Sequence, residues 1–283
     1  MADLTFGIDI SVYQTNDAAN PKFLFDPLLA LEKSVNFAFI RASIGTAKDN
    51  AVDKFAKSFS AAKMPHGFYH FLRSDVSYQT QADRFIETIK QFEFQLPPVC
   101  DVEHNGVGLE MTKAFFGRVT SKLGRSMIIY SSPGFWNGLR GVDKATWALE
   151  YDYWVAHYVT LKFPVYGVPD NVINSTKFPA GLSPWKQAGK PWKFWQFCAS
   201  GDGEFYGGDY ARHTNKTSLD LDVFNGDLQA FNAYIGKTTP ISDPITPPPP
   251  LNGADLAALE NQFYLLSLRV KNIEDHLKGF RLP

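Results

Sequence analysis

Asp101-Val102-Glu103 places two acids two positions apart at the end of an apolar run, 98–103. In a strand, residues i and i+2 point to one face. Asp101 and Glu103 therefore project together, while Cys100 and Val102 turn toward covering helices. Further acids end or interrupt other apolar runs: Asp9 in 6–10, and Asp220 with Asp222 in 219–224. Carboxylates crowded into one pocket cannot all ionise freely, because like charge and burial raise the pKa of at least one. A raised carboxyl is a general acid at working pH, and its neighbours stay anionic. Glycosidic bond cleavage needs that division: one acid protonates the leaving oxygen, and an anion stabilises or attacks the oxocarbenium-like centre. The competing uses of such acids are helix capping and ion binding. The His/Cys spacings of zinc sites are missing, so no metal and no cofactor is expected.

These acids need elements that bring them together. Eight apolar, strand-like runs cover 6–10, 37–42, 66–71, 98–103, 127–131, 153–158, 194–199 and 219–224. Helical periodicity fills the early gaps, at 27–34, 52–63, 78–92 and 112–123, whereas the later gaps are Gly/Pro-rich. Alternating β and α units imply a parallel sheet. Eight of them in this length imply an α/β fold, an irregular TIM-like (β/α) barrel whose last units lack regular helices. Sites on such barrels lie at the C-terminal strand ends. Those ends carry Asp9, Arg41, His70, Asp101 with Glu103, Tyr130, Trp154 with Tyr158, Gln196, and Asp220 with Asp222. Strands one and eight are neighbours in a closed barrel, so Asp9 and Asp220 should converge, with strand four across the mouth. Strand alternation leaves open whether Asp220 or Asp222 faces the pocket.

The chain has 283 residues, 45% hydrophobic, and a net charge of −1. No basic field is present to draw it to nucleic acid or anionic lipid. Cys100 and Cys198, far apart, are expected as buried free thiols. The first residues show no basic-then-apolar leader and no run reaches membrane-spanning length, so neither a signal peptide nor membrane insertion is expected. Composition divides the chain into a barrel over 1–236, a Pro-rich linker over 237–252 and a C-terminal helix over 253–283. In the last segment Leu256, Leu259, Phe263, Leu266, Val270, Ile273 and Leu277 are spaced 3-4-3-4-3-4. That seam predicts a coiled coil and homo-oligomers through 256–277.

The set of motifs resembles the Chalaropsis-type lysozymes, the N-acetylmuramidases of glycoside hydrolase family 25. Its pieces are Gly7-Ile8-Asp9-Ile10-Ser11 with Tyr13-Gln14, Phe39-Ile40-Arg41-Ala42, Gly67-Phe68-Tyr69-His70-Phe71, and Leu96-Pro97-Pro98 leading into Asp101-Val102-Glu103. They continue with Ile129-Tyr130-Ser131, Tyr153-Trp154-Val155-Ala156, Trp195-Gln196 and Asp220-Leu221-Asp222-Val223-Phe224-Asn225-Gly226. The resemblance implies hydrolysis of the β-1,4 bond after N-acetylmuramic acid in peptidoglycan, as in phage endolysins. It implies Glu103 as general acid, Asp101 as second central carboxylate near the N-acetyl group or anomeric centre, and Asp9 and Asp220 as electrostatic partners. Tyr69, Tyr130 and Trp154 would line the sugar cleft, with Arg41, Gln196 and Asp222 as further substrate-binding residues. Two positions depart from the family pattern: Ile44 stands where an acid is frequent, and Asp222 where Asn is frequent. An endolysin without a leader would reach the wall after holin-type release. The alternative is a non-catalytic wall-binding or phage structural module, oligomerised by its tail. A chitinase-like barrel fits less well, because its strand-four acids are more widely spaced.

Overall fold

The computed structural model describes residues 4–15, 25–159, 167–175, 179–208 and 218–238. In chain order its strands are β1 (Thr5–Ile10), β2 (Phe37–Ile44), β3 (Ala47–Lys48), β4 (His66–Phe71), β5 (Val99–Asp101), β6 (Ile128–Ser131), β7 (Asp152–Ala156), β8 (Phe194–Asp202) and β9 (Ser218–Phe224). The sheet order is β1-β9-β8-β7-β6-β5-β4-β2-β3, and a further β1–β2 pairing closes eight of these strands into a barrel. β3 is a short hairpin extension of β2. All neighbouring pairs from β1 through β8 around the barrel are parallel, but β9 runs antiparallel to both β8 and β1. The uniformly parallel sheet expected from the sequence therefore fails at the last strand. The period-2 pattern of a strand is the same in either direction, so it carries no information on polarity.

The early gaps hold α1 (Pro27–Glu32), α2 (Val52–Ala61), α3 (Tyr78–Ile89) and α4 (Leu109–Leu123). Their ends follow local chemistry. The Asp26 carboxylate accepts the N–H groups of Leu28 and Leu29 ahead of Pro27, and Ser77 accepts the Thr80 N–H. Gly124 ends α4 in the left-handed conformation at φ 63°. Among the described residues, later connections hold α5 (Pro133–Trp136), α6 (Asp170–Ile173) and 3₁₀ turns, before α7 (Leu228–Thr238). The linker and coiled-coil helix beyond α7 lie outside the described residues.

Two apolar layers result. One lies between the barrel's outer face and its helices, where Ile8, Ile40, Phe68, Cys100 and Ile129 meet Phe55, Phe85 and Phe115. The other fills the lower barrel with Phe37, Phe39, Val99, Ile128, Trp154, Phe194 and Phe224, and Phe231 of α7 packs against it. A Cβ on Gly7 would sit 2.3 Å from the Phe37 ring, so this strand position must be glycine for the ring to fit. Both cysteines are free and buried. Among the described residues no helix is long and apolar enough to cross a membrane.

Candidate active site

Inward-facing positions change from apolar at the barrel's base to polar at its mouth. On β2 the order is Phe37, Phe39, Arg41; on β8 it is Phe194, then Gln196. On β9, which runs the other way, Asp220 leads toward Phe224 through Asp222. The reversal of β9 places its first residues at the mouth, where Asp220 pairs with Asp9 and Asp222 with Gly7. One pocket there is lined by Asp9, Arg41, Tyr69, Phe71, Asp101, Tyr130, Trp154, Tyr158, Gln196 and Asp220. Asp220 thus faces the pocket, and Asp222 lies one layer below on the same face, 0% exposed.

β5 ends at Asp101, but the chain stays extended. The Leu72 N–H donates to the Asp101 carbonyl, the Val102 N–H to the Tyr130 carbonyl, and the Ser131 hydroxyl to the Val102 carbonyl. Glu103 emerges half-buried at the rim, where its Oε1 accepts the Ser132 N–H at 2.8 Å. The Asp101 side chain is buried, and its Oδ1 has no hydrogen-bond partner among the described residues.

Asp9 is held from the opposite wall. Gln196 Nε2 donates to Asp9 Oδ2 at 2.6 Å. The hydroxyls of Tyr130 and Tyr158 donate to Gln196 Oε1 at 2.8 and 2.9 Å. Two hydroxyl donors on Oε1 fix the amide's orientation. Burial pushes the Asp9 carboxyl up to about 7, against the lowering effects of Gln196, Asp222 and the Arg41 charge. Asp101 is raised well above the carboxylate range by burial and by the nearby Glu103 and Asp9 charges. Burial and the Asp9 charge raise Asp220, and burial with Asp9 and Asp220 raises Asp222. The crowding expected from sequence is present, and these four aspartates carry its upward shifts.

Arg41 is the one cation among the lining residues. Its Nε is taken by buried Asp49 at 2.8 Å, and the Tyr13 ring lies 4.6 Å above the guanidinium. Trp154 is only 2% exposed. It stacks on Phe39 at 4.6 Å, meets Tyr130 edge-on at 4.5 Å, and donates its indole N–H to Asp222 Oδ1 at 2.9 Å. His70, a strand-end residue in the sequence, turns away from the pocket, buried between Ser43 and Gln81. Phe71 joins the pocket without having been singled out from the sequence, although it shares its face with Tyr69 by strand alternation, a signal that was available. Tyr158, named with the end of the seventh apolar run, lines the pocket from just past β7. Among the described residues no three His, Cys, Asp or Glu are grouped to hold a metal ion.

The sequence over residues 8–204 matches the model of glycosyl hydrolases family 25. The chain belongs to that family. It is a glycoside hydrolase, and the irregular barrel is the family's fold. It is 28% identical over 246 residues to YegX of Escherichia coli K12, covering 83% of this chain and 75% of that protein. It is 28% identical over 222 residues to lysozyme M1 of Streptomyces globisporus, covering 72% and 65%. The crystal structure of the bacterial lysozyme from Streptomyces coelicolor superimposes with a TM-score of 0.62 at 25% identity, covering 83% of this chain and 98% of that one.

Proposed function

We propose that this family 25 hydrolase is an N-acetylmuramidase, cutting the β-1,4 bond between N-acetylmuramic acid and N-acetylglucosamine in bacterial peptidoglycan. The observation that carries the reading is Asp101 Oδ1, buried in the pocket without a partner among the described residues beside the rim carboxyl of Glu103. A buried carboxyl oxygen with no donor is costly alone. It is compensated when a sugar's acetamide N–H or a developing positive charge at the anomeric carbon arrives. Kinship to lysozyme M1 supports the same substrate.

In this reading Glu103, aimed by the Ser132 N–H, protonates the leaving oxygen, and Asp101 faces the acetamide or anomeric centre. Asp9 and Asp220 shape the field beneath. Tyr69, Tyr130, Gln196 and Arg41 hold those acids and the sugar in place, with buried Trp154 and Asp222 supporting them. Purified peptidoglycan, digested and then reduced with borohydride, tests the bond. New muramitol supports the assignment, and new glucosaminitol rejects the bond while keeping a glycosidase. No new reducing ends on walls of several Gram-positive species would favour a wall-binding or structural module.

The same reading extends to a phage endolysin that reaches the wall through a membrane lesion made by a holin-type partner. Its tail, 256–277, would assemble several catalytic heads. Expression inside Gram-positive cells, with and without a membrane-permeabilising protein, tests the route. Lysis that does not depend on that protein would reject it.

A further inference from the structure

Of the four aspartates of the cluster, Asp222 is the one that does not line the pocket. It is 0% exposed and sits between Gly7 of β1 and Gln196 of β8. Its Oδ1 accepts the Trp154 indole N–H at 2.9 Å, and its Oδ2 receives no donor among the described residues. The Asp9 carboxyl lies beside it, close enough for a carboxyl–carboxyl hydrogen bond. Two carboxylates cannot share such a bond without a proton between them. Asp9 already accepts from the Gln196 amide, whose orientation the two tyrosine hydroxyls fix, and it feels Arg41. Asp222 has only the indole. When the pair holds a single proton, the anion is therefore better placed on Asp9 and the proton on Asp222 Oδ2.

The groups facing Asp222 support this from each neighbouring element. β1 offers Asp9 and β9 offers Asp220, both acidic. β7 and β8 offer the uncharged Trp154 and Gln196. Arg41 of β2 acts on Asp9 and Asp101. Burial, with these acids, raises the Asp222 carboxyl well above its usual range.

We propose that Asp222 is a positioning residue that works as a neutral acid: its Oδ2 proton is donated to Asp9, fixing that carboxylate against the Gln196 amide, and loss of the proton sets the alkaline limit of activity. Its Oδ1 meanwhile anchors Trp154. As a donor the protonated acid is equivalent to an amide, but it is one that switches off. Once both acids are charged they repel, and Asp9 loses one of its two donors. The inference rests on the muramidase reading for its kinetic form but not for its spectroscopic one.

The experiment compares wild type, Asp222→Asn and Asp222→Ala. For each, thermal melting checks the fold and kcat/KM is followed against pH on purified peptidoglycan. Asp222→Asn is expected to lose the alkaline fall in kcat/KM and to stay more active at neutral pH than Asp222→Ala. Asp222→Ala, equally folded, is expected to fall roughly 10–100-fold, the effect of one hydrogen bond to a charged group. An Asn variant that is folded but as inactive as the Ala variant overturns the proposal, as does an unchanged alkaline limb. In parallel, the infrared C=O band of protonated carboxyls is recorded as wild type minus Asp222→Asn across pH. A band that persists above neutral pH supports the neutral acid even if peptidoglycan proves to be the wrong substrate. Its absence at neutral pH overturns the neutral acid whatever the substrate.

Discussion

The backbone N–H of Ser132, just past the end of β6, donates to Glu103 Oε1 at 2.8 Å, so the neighbouring strand aims the rim carboxyl. Because the donor belongs to the main chain, Glu103→Gln keeps an acceptor for it and preserves the geometry. The amide cannot give up a proton to a leaving oxygen. Glu103→Gln is expected to lower peptidoglycan hydrolysis by about 10²–10⁴-fold with binding to walls retained. Release of reducing ends and a wall pull-down measure the two effects separately. Near-normal hydrolysis by the variant would remove Glu103 from the acid role.

Asp9 predicts a pH dependence of stability. Its folded pKa is raised from 3.8 to about 7, so the native state holds its proton more tightly than the unfolded chain does. The stabilisation is fully present below pH 4 and is lost as pH rises through about 7. Asp9→Asn stays neutral throughout. Its melting temperature is expected to match wild type near pH 4 and to exceed it above pH 7, with activity lost. A difference that is the same at both pH values would refute the linkage.

His70 acts with the opposite sign. Gln81 Nε2 donates to the carbonyls of Arg73 and Val76, so its Oε1 faces His70 Nε2. The ring is therefore neutral with Nε2 protonated, and Nδ1 accepts from the Ser43 hydroxyl. Burial lowers its pKa to about 3. This contribution to stability is present above pH 6.5 and is lost as pH falls toward 3. Thermal unfolding of His70→Asn is expected to depend less steeply on pH in that window. An unchanged slope would assign acid unfolding to other groups.

Tyr13 and Tyr158 are 66% and 53% exposed. Both lie beside the pocket, Tyr13 over Arg41 and Tyr158 through its bond to Gln196. Exposed aromatic faces stack on sugar rings. Tyr13→Ala is expected to raise KM on glycan strands several-fold, on the order of 1 kcal/mol, with kcat nearly unchanged. Tyr158→Phe keeps the ring but loses the hydroxyl to Gln196, so it should lower kcat instead. Steady-state kinetics on soluble glycan fragments separates the two patterns, and the reverse assignment would reject stacking by Tyr13.

The heptad seam over 256–277 predicts oligomers of the full chain. Sedimentation equilibrium should give more than one chain per particle, and a chain ending at residue 238 should be monomeric with its activity on soluble fragments retained. Equal masses per chain for both would dismiss the seam as an assembly device.

Much of the site was legible because it depends on short-range geometry. The period of two in Asp101-Val102-Glu103 puts both acids on one face in any strand, and the run of eight apolar segments separated by helical patterns leads to a barrel. Polar residues at the ends of those segments then name most of the pocket. The caps of α1 and α3 are equally local, with Asp26 and Ser77 each bonding an N–H within three residues. What the chain could not disclose locally was direction and depth. β9 closes the barrel between β8 and β1 antiparallel to both, and that reversal brings Asp220 to the mouth and leaves Asp222 beneath it. Trp154 has the composition of a sugar platform, but packing against Phe39 and Tyr130 buries it and turns its N–H to Asp222. Asp9 takes its donor from Gln196, 187 positions away. The carboxyl pKa values follow from such long-range neighbours and from burial, which exist only once the barrel has closed.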